Sequence, residues 1–326
     1  MKLIIQIPCF NEADALPITL KALPRQVAGF DRVEWLVIDD GSSDGTAEVA
    51  AKHGVDHIIR HTRNRGLARA FMTGLDGCLS LNANFIVNVD ADNQYNADDI
   101  PALLAPLVEG KADIVVGARP IEAIKHFSPV KKYLQKLGSS VVRLVSGTSV
   151  PDAPSGFRAM SQFAARRLAV FSDFSYTLET IIQAGQNGMA VVSVPVRVNE
   201  NLRPSRLFKS NLEYIWRSVV TIVRIFVVYR PFRFFASTGA VLFACGTAIG
   251  LRFLWLFFSG RGDGHIQSLT LAGALLGMGF QAILIAFIAD LLSVNRKLLE
   301  ELRFTHRESL HHPIISKDLK NSHLGS

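Results

Sequence analysis

Cysteine is scarce: Cys9, Cys78 and Cys245 are the only three in 326 residues. They are widely separated and form no C-x-x-C pair, so neither a disulfide framework nor a structural zinc site is expected. The opening Met1-Lys2-Leu3-Ile4-Ile5-Gln6-Ile7-Pro8 has neither the apolar length nor the small-residue cleavage site of a secretory signal, so the first domain is expected in the cytoplasm. No G-x-G-x-x-G follows this first apolar run, which argues against a dinucleotide oxidoreductase. Acidic residues are outnumbered, 28 against 35 Lys and Arg, for a net charge of +7. The arginines gather between Arg203 and Arg233, just ahead of a long apolar stretch. That placement suits an anionic lipid surface or a phosphate-bearing ligand, and no nucleic-acid partner is expected.

What is present is an alternation of short apolar runs with helix-length segments. Leu3 to Ile7, Glu34 to Ile38, His57 to Arg60, Phe85 to Val89 and Ile114 to Val116 read as strands, and Gly66 to Leu81 and Asp98 to Glu109 as helices between them. The strands carry Val, Ile and Leu with little polar alternation, as a mostly parallel sheet does when helices cover both faces, so the fold class is α/β. Ligands of such sheets bind beyond the carboxyl ends of the strands. The residues at those positions are polar: Asn11 and Glu12 after the first strand, Asp39 and Asp40 after the second, Asp90 and Asp92 after the fourth.

The last third is different. From Asn211 to Val228, Glu213, Arg217, Thr221 and Arg224 form a polar stripe at helical spacing, either an amphipathic helix at a membrane interface or a helix packed on the first domain. Phe234 to Phe258 and Leu269 to Val294 each supply roughly the ~20 apolar residues that cross a bilayer. Arg217, Arg224, Arg230 and Arg233 precede the first span and Arg296 and Lys297 follow the second, while the connecting loop balances Arg261 with Asp263. Both ends are therefore expected on the cytoplasmic side of a multi-pass inner membrane protein. The expected domains are 1–210, a juxtamembrane helix 211–232, two transmembrane helices 233–295 and a cytoplasmic tail 296–326, whose last residues, His306 to Ser326, are polar and expected to be mobile.

Asp90-Ala91-Asp92 ends a buried strand and is followed by Asn93 and Gln94. Carboxylates at a strand end suit Mg2+ or Mn2+, which take oxygen ligands and leave positions for water and substrate phosphates. Asp39-Asp40-Gly41-Ser42-Ser43-Asp44-Gly45-Thr46 combines a turn and helix cap with two carboxylates, acceptors for a base or ribose, a role that Glu12 after Pro8-Cys9-Phe10-Asn11 can share. Arg119, and Arg158 in Pro154-Ser155-Gly156-Phe157-Arg158 after Asp152, are candidate phosphate clamps, with surface ion pairing as the alternative. Arg203, Ser205, Arg206 and Lys209 lie where a lipid phosphate would arrive.

Taken together, Ile7-Pro8-Cys9-Phe10-Asn11-Glu12, Asp39-Asp40-Gly41-Ser42, Asp90-Ala91-Asp92 with Gln94, Gly117-Ala118-Arg119 and Ser155-Gly156-Phe157-Arg158 resemble the polyprenyl-phosphate glycosyltransferases of family 2. That family includes the dolichyl-phosphate mannose synthases and bacterial undecaprenyl-phosphate sugar transferases. The resemblance implies a GT-A fold, inversion at the anomeric carbon, a nucleotide pocket of Pro8, Asn11, Glu12, Asp39 and Asp40, and metal ligation by Asp90, Asp92 and Gln94. It further implies that Arg119 and Arg158 meet phosphate, that Asp152 is the acidic residue ahead of the Ser-Gly-Phe-Arg stretch, and that Asp92, Asp152, Arg119 and Arg158 carry the catalysis. The acceptor side falls to Arg203, Ser205 and Arg206. Cys9, Asn93 and Arg206 depart from the family pattern. The partners implied are a nucleotide sugar, with UDP-glucose the leading expectation, a polyprenyl phosphate, the membrane and further copies of the chain. The rivals are a GDP-mannose-using polyprenyl-phosphate mannosyltransferase and a processive polysaccharide synthase, the latter of which would carry a Gln-x-x-Arg-Trp motif that is absent here.

Overall fold

The computed structural model describes residues 1–120, 129–170, 176–199, 211–260 and 266–311. Strands β1 (Lys2–Cys9), β2 (Arg32–Asp39), β3 (His57–Arg60), β4 (Phe85–Asn88), β5 (Ile114–Ala118), β6 (Arg158–Ser161) and β7 (Val191–Pro195) form one sheet in the order β3-β2-β1-β4-β6-β5-β7. Every pairing is parallel except those of β6, which runs antiparallel between β4 and β5. The five strands expected from sequence are present. β6 and β7 were not foreseen, and Arg158, expected as a candidate phosphate clamp, opens β6.

Helices α1 (Leu16–Ala22), α2 (Thr46–Lys52), α3 (Leu67–Ser80), α4 (Ile100–Val108), α5 (Pro129–Ser146), α6 (Gln162–Arg167) and α7 (Tyr176–Gln186) complete the domain. Side chains alternate along β1, so Leu3, Ile5 and Ile7 join one core with Leu16 and Leu20 of α1 and Leu103 and Leu104 of α4. Ile4 joins the other, against Phe71 and Leu75 of α3 and Val142 of α5. Both faces are dry, which is why the strands read as unbroken apolar runs. Each such residue contributes about 1.5–3 kcal/mol through burial.

Helix α8 (Asn211–Tyr229) has two characters. Ile225 and Tyr229 are buried with Val141, Val142 and Val145 of α5, whereas Trp216, Val219, Val220 and Val223 stand exposed. Thus α8 packs on the domain and still presents an apolar face. Helices α9 (Pro231–Phe258) and α10 (Ile266–His311) form a hairpin in which each is long and apolar enough to cross a membrane. Only 6% and 17% of their apolar windows are buried, so these are not the core helices of a soluble domain. Glycine brings them close: a Cβ on Gly239 would sit 2.9 Å from Gly279 O, and one on Gly246 3.0 Å from Ala272 O. The helix does not stop at Val294 as the apolar run does. It continues to His311, and Arg167 of α6 lies 4.5 Å above the Phe304 ring, tying the extension to the first domain; the rest of the expected tail, 312–326, lies outside the described residues.

Candidate active site

The β1–α1 and β2–α2 loops are stitched together at the carboxyl edge of the sheet. Asn11, at φ 54°, donates its backbone N–H to Ser42 Oγ at 2.9 Å, and its side-chain oxygen accepts from Ser43 N at 2.9 Å. Glu12 N donates to Thr46 Oγ1 at 3.0 Å, and Ala13 N to Asp44 Oδ2 at 3.0 Å. Pro8, the penultimate residue of β1, stands opposite Ile38, and Cys9, the last, pairs with Asp39. Burial pushes the Cys9 thiol up, so it stays an inert SH. Gly41, at φ +75°, abuts the Arg63 backbone, where no Cβ fits.

The two adjacent carboxylates do different work. Asp40 accepts from His61 Nδ1 at 2.7 Å, Arg65 N at 2.9 Å and Gly66 N at 2.8 Å, so it anchors the turn before α3. Its expected contact with a nucleotide is at odds with this engagement. Asp39 Oδ1 accepts from Ser42 N at 2.9 Å, while Oδ2 has Arg60 Nε 3.2 Å away but no hydrogen-bonded donor. Asp39 is therefore the carboxylate of the pair with acceptor capacity left.

Asp90 and Asp92 follow β4, with Ala91 buried between them. Thr19 Oγ1 donates to Ala91 O at 2.7 Å, and Asp92 Oδ1 accepts from Gln94 N at 3.1 Å. Asn199 Nδ2 donates to Asn93 O and Tyr95 O at 2.9 and 3.1 Å, and Asn199 N to Gln94 O at 2.9 Å, pinning the turn from the far end of the domain. Burial, and then the Asp92 carboxylate, push Asp90 up to about 7 against the pull of Arg119 and Arg158.

Opposite Asp90 lies the segment 153–157. A Cβ on Gly156 would come 2.6 Å from Asp90 Oδ2 and 3.0 Å from Tyr176 Oη, so only glycine fits beside this carboxylate. Asn88 Nδ2 donates to Gly156 O at 2.9 Å and to Tyr176 Oη at 3.1 Å, and Gly156 N donates to Tyr95 Oη at 3.1 Å. Arg158, 1% exposed, donates Nε to Ser155 O at 2.8 Å, Nη2 to Ala153 O at 2.7 Å and Nη1 to Thr180 Oγ1. Its guanidinium braces this segment from within and does not serve as the expected phosphate clamp. Burial lowers its pKa to about 10, and its charge still acts on Asp90.

Arg119 and Asp152, expected as separate contacts, meet each other. Arg119 Nε donates to Asp152 Oδ2 at 2.7 Å, Nη2 to Oδ1 at 3.0 Å, and the backbone N to Oδ2 at 3.1 Å. Burial works against the Arg119 charge, but Tyr95, Asp152 and Asp90 outweigh it and hold the guanidinium above its ordinary range. Arg203, Ser205 and Arg206 lie outside the described residues. Asn88, Tyr95, Gly156, Tyr176 and Asn199 were missed by sequence reasoning; of these only Gly156 stood inside a motif.

Among the described residues no group of three or more His, Cys, Asp or Glu stands together as a closed metal site. The donor set does fit Mg2+ or Mn2+. Two carboxylates stand on one turn, and the upward shift of Asp90 by burial and by Asp92 is the kind that a bound cation would relieve. Such a cation draws its remaining ligands from water and a diphosphate.

A family model described as "Glycosyl transferase family 2" matches residues 4–169. The chain is 27% identical over 221 residues to the polyprenol monophosphomannose synthase of Mycolicibacterium smegmatis, covering 64% of this chain and 82% of that protein. It is 29% identical over 213 residues to the UDP-N-acetylglucosamine–dolichyl-phosphate N-acetylglucosaminyltransferase of Methanococcus voltae, covering 59% and 83%. Among solved structures, glucosyl-3-phosphoglycerate synthase from Mycobacterium tuberculosis, in complex with Mn2+ and uridine diphosphate, shares the fold at a TM-score of 0.52 and 20% identity, covering 69% and 78%.

Proposed function

The chain belongs to glycosyl transferase family 2, and from that premise we propose that it transfers a sugar from a nucleotide-sugar donor to the phosphate of a polyprenyl lipid at the cytoplasmic face of a membrane. The observation that carries this reading is the Asp90–Asp92 turn, set against Gly156 at the carboxyl edge of the sheet in a chain whose last third is an apolar hairpin. The names of the relatives in Mycolicibacterium and Methanococcus, both polyprenyl- or dolichyl-phosphate enzymes, support the acceptor class.

Asp90 and Asp92, with Gln94 beside them, would hold the Mg2+ or Mn2+; the Mn2+ in the mycobacterial neighbour supports the choice of metal. A cation held by these residues would supply positive charge to offset that of a departing nucleoside diphosphate. The acceptor is a phosphate monoester with a second pKa near ~6, so it arrives largely as an anionic nucleophile and needs no strong general base. The protein's task is alignment for attack with inversion. Asn11, Glu12 and Asp39 on the stitched loops receive the nucleoside, and Pro8 shapes the strand end. The Nη1 edge of Arg119 takes no part in the pairing with Asp152, and in this reading it meets a phosphate oxygen. Arg203, Ser205 and Arg206 receive the acceptor phosphate ahead of the hairpin.

We take UDP-glucose as the donor. GDP-mannose is the second reading, favoured by the mannose synthase among the relatives. The catalytic unit spans 1–210, with 211–232 juxtamembrane and 233–295 crossing the bilayer, and the assembly is homo-oligomeric. The test is purified full-length protein with undecaprenyl phosphate and a panel of radiolabelled nucleotide sugars. One donor labelling the lipid fraction is expected; no label in lipid from any donor would refute the assignment.

A further inference from the structure

A cavity of about 530 Å³ opens where α7, the α8–α9 junction and α10 meet. Three cations line it, Arg230 and Arg233 at the entry to the first apolar span and Lys297 beyond the end of the second, against one carboxylate, Asp290. Gln186 and Ser293 add neutral hydrogen-bonding groups. Arg230 is fixed in place by donating Nη2 to Val145 O at 3.1 Å. Arg233 and Lys297 form no ion pair with any described residue. Tyr229, Pro231 and Phe232 give the rest of the lining an apolar character, and a net positive pocket of this mixed kind, at the level where a hairpin leaves the bilayer, suits a phosphate group carried on a lipid.

The reacting phosphate is not its occupant. Tyr176, at the start of α7, touches Asn88 beside the Asp90 carboxylate, and Gln186, at its end, lines the cavity. Ten helical steps of about 1.5 Å place the two some ~15 Å apart. Moreover β7, which follows α7, starts level with the beginning of β5, so the cavity lies toward the amino edge of the sheet, opposite the carboxylates. We propose that this cavity binds the headgroup phosphate of an anionic membrane phospholipid, a ligand distinct from donor and acceptor, which seats the catalytic domain against the bilayer. The proposal rests on the reading of α9 and α10 as a membrane hairpin.

The test uses full-length protein in a neutral detergent with no nucleotide sugar present, so its outcome is independent of sugar transfer. Dispersed phosphatidylglycerol, phosphatidylcholine and inorganic phosphate are titrated separately, with thermal unfolding and native mass spectrometry as readouts. Phosphatidylglycerol is expected to raise the Tm and to remain bound, and phosphatidylcholine to do neither. The double variant Arg233→Gln/Lys297→Gln is expected to need about tenfold more phosphatidylglycerol for the same shift, and Lys297→Gln alone to fall between. Both substituted side chains lie outside the site of transfer, so transfer in detergent without added phospholipid should match the parent protein. Identical phosphatidylglycerol titrations for parent and variants would overturn the proposal, as would inorganic phosphate matching phosphatidylglycerol in the parent protein.

Discussion

Arg119 and Asp152 form a single buried unit, joined through Nε and Nη2 at 2.7 and 3.0 Å and through the Arg119 backbone N at 3.1 Å. The side chains are 8% and 1% exposed. Removing one partner strands a buried charge, which costs about 3–5 kcal/mol. Arg119→Met is therefore expected to lower unfolding stability by about that amount. Arg119→Met/Asp152→Leu should recover a large part of the stability without recovering transfer. Denaturant unfolding of the two variants beside a transfer assay separates the structural role of the pair from its phosphate-facing role.

Gly156 should tolerate no side chain. The Cβ of Gly156→Ala meets Asp90 Oδ2 at 2.6 Å, and a displacement of about 1 Å at a reacting centre is enough for a ~100-fold loss of rate. Transfer is expected to fall by about that factor in a protein that still folds. Gly138→Ala in α5 is the control, since nothing lies within 4 Å of the added carbon. It should be active and about 0.5–1 kcal/mol more stable.

Asp92→Ala should abolish transfer and leave the fold intact, because Asp92 is only half-buried and its Oδ1 closes one local turn to Gln94 N. Circular dichroism and the transfer assay on one preparation check both halves. Full turnover by the folded variant would remove Asp92 from the metal site.

Much of this arrangement was legible in the sequence, and the losses have physical causes. Apolar runs ending in Asn11, Asp39, Asp40, Asp90 and Asp92 placed the cleft at the carboxyl edge because a sheet buried on both faces leaves few other reasons for acids there. Strand β6 was invisible: Arg158-Ala159-Met160-Ser161 has no apolar run and gains its state from lying between β4 and β5. Arg158 and Asp40 were assigned to ligands because charge suggests solvent, whereas both spend their hydrogen bonds on nearby loops. The need for glycine at 156 is set by a carboxylate 66 positions earlier, a coincidence of folding that no local pattern announces. The extension of α10 past Val294 was read as tail because its residues turn polar there, while packing against α6 keeps it helical.

In the hairpin, Gly239→Leu would place a side chain where a Cβ alone already lies 2.9 Å from Gly279 O. The two helices must then separate. The variant is expected to show a lower Tm in detergent than a Gly273→Leu control, at which nothing lies within 4 Å. Thermal unfolding of the two variants in one detergent reports the difference.

The central claim is that Asp90 and Asp92 work through a divalent cation, and radiolabelled sugar transfer to undecaprenyl phosphate by protein dialysed against EDTA tests it most directly. Loss of transfer on chelation, restored by Mg2+ or Mn2+ in the parent protein but not in Asp92→Ala, is the predicted result. Transfer that proceeds at full rate in excess EDTA would contradict it.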